Sequence, residues 1–114
     1  MNDIYELVSN AKSTVWLNPG TYIIDKPLTP NPNLNTFLFY AIGATLIVKS
    51  DYMFNYNGDG LGIIGGIIKP LANSQLVNGQ NTTAYFDKTQ IANTSSFLAN
   101  ANTDIFPRFF PIDI

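Results

Sequence analysis

The chain has 114 residues, a formal net charge of −2, and neither cysteine nor histidine. This length fits one domain, and the missing residue types exclude disulfides, thiolate metal sites and histidine-based catalysis. The few lysines and arginines are scattered, which argues against nucleic-acid binding. No run of 18 apolar residues occurs, so we expect no membrane span.

Residues 3–12 have the pattern of a short amphipathic helix. Asp3 is a favourable N-cap, and Glu6 follows it at the spacing of a capping box. One apolar stripe runs along the helix, formed by Ile4, Leu7, Val8 and Ala11. A helix placed just before a strand covers an otherwise open edge and core. We therefore predict that residues 1–13 form an N-terminal capping helix, with an ordinary surface helix as the alternative.

Three copies of one pattern follow the helix. Glycines recur at Gly20, Gly43 and Gly66, each 23 residues after the last. Each copy contains a short apolar strand, a glycine corner and a second apolar strand, bounded by Gly, Pro and Asn. A repeat of this length is typical of solenoids, which stack one coil per repeat. The prediction is an all-β fold, a right-handed parallel β-helix of three to four coils, with residues 14–78 forming its coils.

The register of the repeat predicts which residues lie level in neighbouring coils. The three glycines should lie in one column, and Val15 should lie level with Leu38. Trp16 should share a register with Phe39, either as an outward aromatic stripe or as the core face. Stacked asparagines and threonines are expected to satisfy one another from coil to coil, as in amide ladders.

The repeat fades after about residue 76, and residues 79–114 are predicted to form an irregular last coil and a C-terminal arm. The arm is too apolar for solvent, and Pro107 and Pro111 argue against a helix or a central strand. We predict that it mediates self-association, with folding back onto its own coil as the alternative. The predicted interface residues are Ile105, Phe106, Phe109, Phe110, Ile112 and Ile114.

Two motifs are candidate sites of chemistry. Gly60-x-Gly62-x-x-Gly65 matches a dinucleotide fingerprint, but that motif requires a helix at its last glycine, whereas Pro70 ends a strand-like run here. Asp51 and Asp59 are candidates for a carboxylate pair beside a sugar. Their position next to the Asn57-Gly58 turn favours turn residues instead, and one carboxylate is too few for a calcium site. We therefore expect no catalytic residue, no cofactor and no metal site.

Outward aromatic side chains are candidates for stacking on sugar rings, with packing in the core or between subunits as the alternative. The candidate carbohydrate contacts are Trp16, Phe39, Tyr52, Tyr56, Asp51 and Asp59.

The predicted helix is followed by a characteristic series of segments: Val15-Trp16-Leu17, Pro19-Gly20-Thr21-Tyr22, Ile24 and Gly43-Ala44-Thr45-Leu46. With these residues the first part of the chain resembles the start of pectate-lyase-like parallel β-helix proteins, a superfamily that includes bacteriophage tailspikes. The resemblance covers residues 3 to about 70. Enzymes of that superfamily have several more coils, which usually hold their catalytic carboxylates, and no residue here matches a catalytic motif of the family.

The resemblance implies a structural or attachment protein of a virus particle, such as a phage tail, spike or appendage, and not an enzyme. Such a protein would be located in the virion or outside the cell. Its partners would be other copies of itself, first of all as a trimer, other virion proteins and surface polysaccharide. The alternatives are a minimal or truncated polysaccharide-degrading β-helix enzyme and a carbohydrate-binding module without catalysis.

Overall fold

The computed structural model describes residues 3–79, 82–99, 102–103 and 108–112, and its regular structure is almost entirely parallel strands. The elements in chain order are α1 (Ile4–Asn10), β1 (Thr14–Trp16), β2 (Gly20–Ile24), β3 (Thr36–Tyr40), β4 (Ala44–Val48), β5 (Tyr52–Phe54), β6 (Gly60–Ile64), β7 (Ile67–Pro70), β8 (Gln75–Val77), β9 (Thr83–Ala92), α2 (Thr94–Phe97), β10 (Asn102–Thr103) and β11 (Arg108–Ile112). No helix in these ranges is long and apolar enough to cross a membrane.

The strands stack into three sheets. The first sheet runs β1-β3-β6 and ends on the first half of β9, and the second runs β2-β4-β7 and ends on its second half. The corner between the two halves is Lys88, which has a positive φ of 59°. The third sheet pairs β5 with β8, and Leu28 extends it by one bridge to Phe54. This arrangement confirms the predicted parallel β-helix, with about four stacked coils.

The interval between stacked residues varies around the predicted 23. It is 24 between β2 and β4, where Gly20 pairs with Ala44, but 22 between β4 and β7, where Thr45 pairs with Ile67. The predicted glycine column is therefore wrong by one residue at Gly43, which lies in the preceding corner at φ 80°. A period read from sequence averages over corners of unequal length, whereas strand pairing is fixed by which side chains face inward.

The interior is filled by columns of apolar side chains, one residue from each coil. On the first sheet, Val15 pairs with Phe39, Phe39 with Ile63, and Ile63 with Phe86. All four are buried, and Phe39 packs edge-on against Phe54 of the third sheet at 5.4 Å between ring centroids. Each fully buried side chain of this size contributes about 1.5–3 kcal/mol relative to exposure. The columns are therefore the main source of cohesion between coils.

Buried hydroxyl groups at the corners bind the preceding coil. Ser74, Thr82 and Thr89 each donate to a backbone carbonyl 24 residues earlier, over 2.7, 2.8 and 2.9 Å. Asn78 donates to the side-chain oxygen of Asn55 over 2.8 Å, which confirms one rung of the expected amide ladder. In the described part of the chain, every buried side-chain nitrogen and oxygen has a partner.

Helix α1 packs against the first coil. Asp3 caps it by accepting a hydrogen bond from the Tyr5 amide at 2.8 Å, and Ile4 and Val8 are buried in the common core. The Tyr5 hydroxyl donates to the Asp25 carboxylate over 2.7 Å, which attaches the helix to the end of β2. The predicted N-terminal helix is thus present, ending at Asn10 rather than at residue 12.

The described part of the C-terminal tail lies along its own last coil. Residues 108–112 form strand β11, which pairs in parallel with β9. The Phe109 ring packs edge-on against Phe86 at 5.5 Å, so this segment follows the alternative of folding back. Pro111 fits there because β11 is the last strand of its stack and needs no further backbone donor. Ile105, Phe106 and Ile114 lie outside the described residues, and the role of the tail in self-association stays a prediction.

Replacing Val8 with Asp tests the role of α1. A charge placed in the core is costly, so the helix should detach and expose the first coil, and the protein should aggregate. Ser9→Asp places the same charge on the exposed side of the same helix and should stay soluble. Equal solubility of the two variants, measured by sedimentation after expression, would contradict a capping role.

Thr89→Val tests the corner hydroxyls. Valine keeps the shape but removes the hydroxyl that donates to the carbonyls of Ile63 and Gly65. We expect a loss of about 1–3 kcal/mol in the free energy of unfolding, measured with urea. The control Thr21→Val, at an exposed strand position, should change stability by less than about 0.5 kcal/mol. If the unfolding curves of Thr89→Val and the wild type are indistinguishable, the hydrogen bonds of the Thr89 hydroxyl add nothing to stability.

Candidate functional site

The outward side of the first sheet carries an exposed apolar surface. Because side chains alternate along a strand, the residues between the buried column positions point outward. Leu38 is level with Gly62 and Tyr85, and Trp16 is level with Tyr40 and Ile64. We call this surface the aromatic face; it consists of Trp16, Leu38, Tyr40, Ile64 and Tyr85.

The exposure of this face is greatest at Trp16. Its side chain is 66% exposed, that of Tyr85 48% and that of Leu38 39%. The Trp16 and Tyr40 rings stack on each other, with their centroids 3.8 Å apart and their planes at an angle of 3°. One side of the indole is therefore covered by Tyr40, and the other is turned away from it, toward the N-terminal end of the stack. The stacked pair fixes the orientation of Trp16 without burying it.

Glycines form the floor of the aromatic face. A Cβ on Gly62 would lie 2.7 Å from a methyl group of Leu38, and one on Gly60 would lie 3.5 Å from the Tyr85 ring. A larger residue at position 62 would therefore displace the Leu38 side chain, whereas the distance to Tyr85 is an ordinary contact. Gly65 lies in the next corner at φ 72°, and strand β7 follows instead of a helix. The dinucleotide-like glycine spacing therefore lacks the structural context of that motif.

A groove of about 410 Å³ separates α1 from β1, and we call it the Trp16 groove. It joins the aromatic face at Trp16, with helix residues on one side and the start of the first strand on the other. Its lining residues are Asp3, Glu6, Leu7, Asn10, Ala11, Thr14, Val15 and Trp16.

The structure separates the residues predicted to contact carbohydrate. Phe39 and Tyr56 are 0% and 2% exposed, so for these two rings the alternative of packing in the core is the one observed. The predicted register of Trp16 with Phe39 is wrong by one residue, because Trp16 pairs with Tyr40 and Phe39 pairs with the inward Val15. Tyr52 is half-buried and lies on the third sheet, away from Trp16 on the first.

The two candidate carboxylates occupy different corners. Asp51 precedes β5 and Asp59 precedes β6, and both side chains are exposed. Their backbone carbonyls accept hydrogen bonds from the next coil, from Gln75 and Thr83 respectively. Both residues therefore occupy turns that stack on the following coil. Within the described ranges, no three acidic side chains come together in a way that would hold a metal ion.

Sequence reasoning missed Leu38, Tyr40 and Ile64 as surface residues. The signal was present in β3, where Phe37 and Phe39 alternate with Leu38 and Tyr40. Two aromatic residues on one side of a strand indicate the core side, which leaves the other two outward. The uniform 23-residue spacing concealed this alternation, because it aligned Trp16 with Phe39.

Tyr56 lies just after β5 and links its coil to the preceding one. Its hydroxyl donates to the Leu34 carbonyl over 2.9 Å. Burial, together with the negative charge of Asp59, raises the pKa of Tyr56 above its ordinary value. The pKa of Tyr5 is raised as well, by burial and then by its hydrogen bond to Asp25.

Comparison with known proteins gives no match to a family model, to a characterised protein or to a solved structure.

Alkaline titration should reveal Tyr56. A pKa that is higher in the folded than in the unfolded state stabilises the fold below about pH 10, and this contribution is lost as pH rises through the folded value. Urea unfolding midpoints should therefore fall above pH 10 in the wild type and fall less in Tyr56→Phe. The exposed Tyr85→Phe should behave as the wild type does. A Tyr56→Phe curve parallel to the wild-type curve would contradict the assignment.

Proposed function

We propose that this protein is a structural or attachment component of a virus particle, of the tail, spike or appendage kind, and that it acts as a homo-oligomer. The observation that carries the proposal is the aromatic face, an exposed apolar surface on a rigid stack of coils. The resemblance to the pectate-lyase-like superfamily supports the viral setting. It also makes the trimer the first expectation for the stoichiometry.

The aromatic face has the composition of a protein interface. Soluble monomers rarely expose large contiguous apolar patches, and aromatic side chains are enriched where proteins meet. Trp16, Leu38 and Tyr85 stand on the first, second and fourth coils of one sheet, so the surface they form is ordered before any partner binds. A preordered surface loses little conformational entropy on association. Copies of the chain packed laterally around a symmetry axis would cover it.

The C-terminal strand offers a second contact. Phe110 points away from the coil and is 57% exposed, whereas its neighbour Phe109 packs against Phe86. The predicted tail interface is therefore retained here through Phe110 and not through Phe109. In this proposal, Phe110 meets a neighbouring subunit or another virion protein.

A sugar-binding module is the second candidate, and the exposed indole of Trp16 favours it. An aromatic ring of this kind can stack on a sugar ring, and the Trp16 groove beside it contains carboxylate and amide groups. The enzyme alternative is less well supported, because Asp51 and Asp59 lie in separate corners on either side of β5.

The oligomer is tested by Leu38→Glu. We expect the wild type to sediment as an oligomer. In the variant the dissociation constant of the oligomer should rise at least about tenfold, since a charge in the centre of an apolar interface costs at least about 1.4 kcal/mol. Ile42→Glu is the matched control, because Ile42 is 58% exposed in the corner after β3 and lies off the aromatic face. A wild-type protein that stays monomeric at high concentration would contradict the proposal.

A further inference from the structure

We infer that the Trp16 groove binds the guanidinium group of an arginine side chain presented by a partner protein. The indole of Trp16 would lie against the guanidinium plane, and the carboxylates of Asp3 and Glu6 would accept its hydrogen bonds. This goes beyond the proposed function, since lateral packing through Leu38 and Tyr85 does not require the groove.

One surface of the Trp16 indole is left free for a cation. Trp16 stacks on Tyr40 with one ring surface, and its other surface is turned toward the end of the stack where α1 lies. Tryptophan is the aromatic side chain that attracts cations most strongly, and guanidinium is the cation that most often stacks on it. The ring is held in place by Tyr40, so no ordering is needed before a cation binds.

The described lining of the Trp16 groove is negatively charged. Asp3 and Glu6 both line the groove, and none of the described residues lining it is a lysine or an arginine. The same two acidic residues also line a groove of about 460 Å³ on the other side of α1. There the chain supplies its own cation, because the Lys26 ammonium lies 4.7 Å from the centre of the Tyr5 ring. Both grooves are lined by Asp3 and Glu6 and each has an aromatic ring of its own, but among the described lining residues only the second groove has a cation.

The shape of the guanidinium group distinguishes it from other ligands. A planar guanidinium can stack on a ring and donate in its own plane to carboxylates at the same time. An ammonium group is compact and cannot cover the indole in this way. A neutral sugar would stack on the ring but would leave the charge of the carboxylates unpaired.

Trp16 is the only tryptophan, so its fluorescence reports on the groove directly. The probe is the peptide acetyl-Gly-Arg-Gly-amide, titrated against the full chain. The control peptide carries citrulline, which keeps the shape of arginine without its charge. We expect a saturable change in Trp16 emission with the arginine peptide only, and weaker binding at higher salt. Equal responses to both peptides, or a response to neither, would overturn the inference.

Two variants locate the site. Glu6→Gln should weaken binding of the arginine peptide roughly two- to fivefold, the range expected for an exposed charged contact. Asp87→Asn removes a carboxylate three coils away in the same outward column as Trp16 and should leave binding unchanged. The titration is repeated on Leu38→Glu, so that failure of the groove is distinguished from failure of self-association. A neutral oligosaccharide that changes the emission when the arginine peptide does not would assign the groove to sugar instead.

Discussion

No coil of this protein can bury its apolar side chains alone, and everything else in the structure depends on that constraint. A single coil has unpaired backbone groups on both edges and an open column on both ends. Parallel pairing with the next coil satisfies the backbone, and it places Phe39 between Val15 and Ile63 in the same step. The ends of the stack still require covers. Helix α1 lies at one end, and β11 pairs with the last long strand at the other.

This constraint explains how much of the fold was predictable from sequence. The β-helix, its approximate period and α1 follow from patterns that every coil must repeat or that a helix must show on one side. The register does not follow, because Gly20 pairs with Ala44 and Thr45 with Ile67, and the corners between them differ in length. Helix α2 was not predicted either. It lies between β9 and the C-terminal strands, and its Phe97 is buried against the core although the surrounding residues are small and polar.

The candidate site was only partly predictable for the same reason. The sequence made Trp16 a candidate surface residue but left its side open, and its neighbours on the aromatic face become visible only when each strand is assigned an inward side. An error of one residue exchanges the two sides of a strand, which is why a register that aligned Phe39 with Trp16 could not assign Phe39 to a side. The aspartates at 51 and 59 show the opposite case, because their turn signals alone were sufficient to place them in corners.

The same strands provide both the cohesion between coils and the exposed surface. Inward columns hold the coils together, and outward columns on the same strands present ordered side chains at the coil spacing of about 4.8 Å. Trp16 and Tyr40 stack at 3.8 Å because adjacent coils bring them into register. A rigid surface of this kind suits assembly into a larger particle, and the free side of Trp16 remains available for a second ligand.

The register is the central claim, and cysteine cross-linking tests it most directly because the chain has no cysteine of its own. Thr21 pairs with Thr45 on the outward side of the second sheet, so Thr21→Cys with Thr45→Cys should form a disulfide under mild oxidation, at a Cα separation near that of stacked strands. Thr21→Cys with Ala44→Cys should not, because Ala44 is buried and one residue out of register. Efficient cross-linking of the second pair and not of the first would contradict the account.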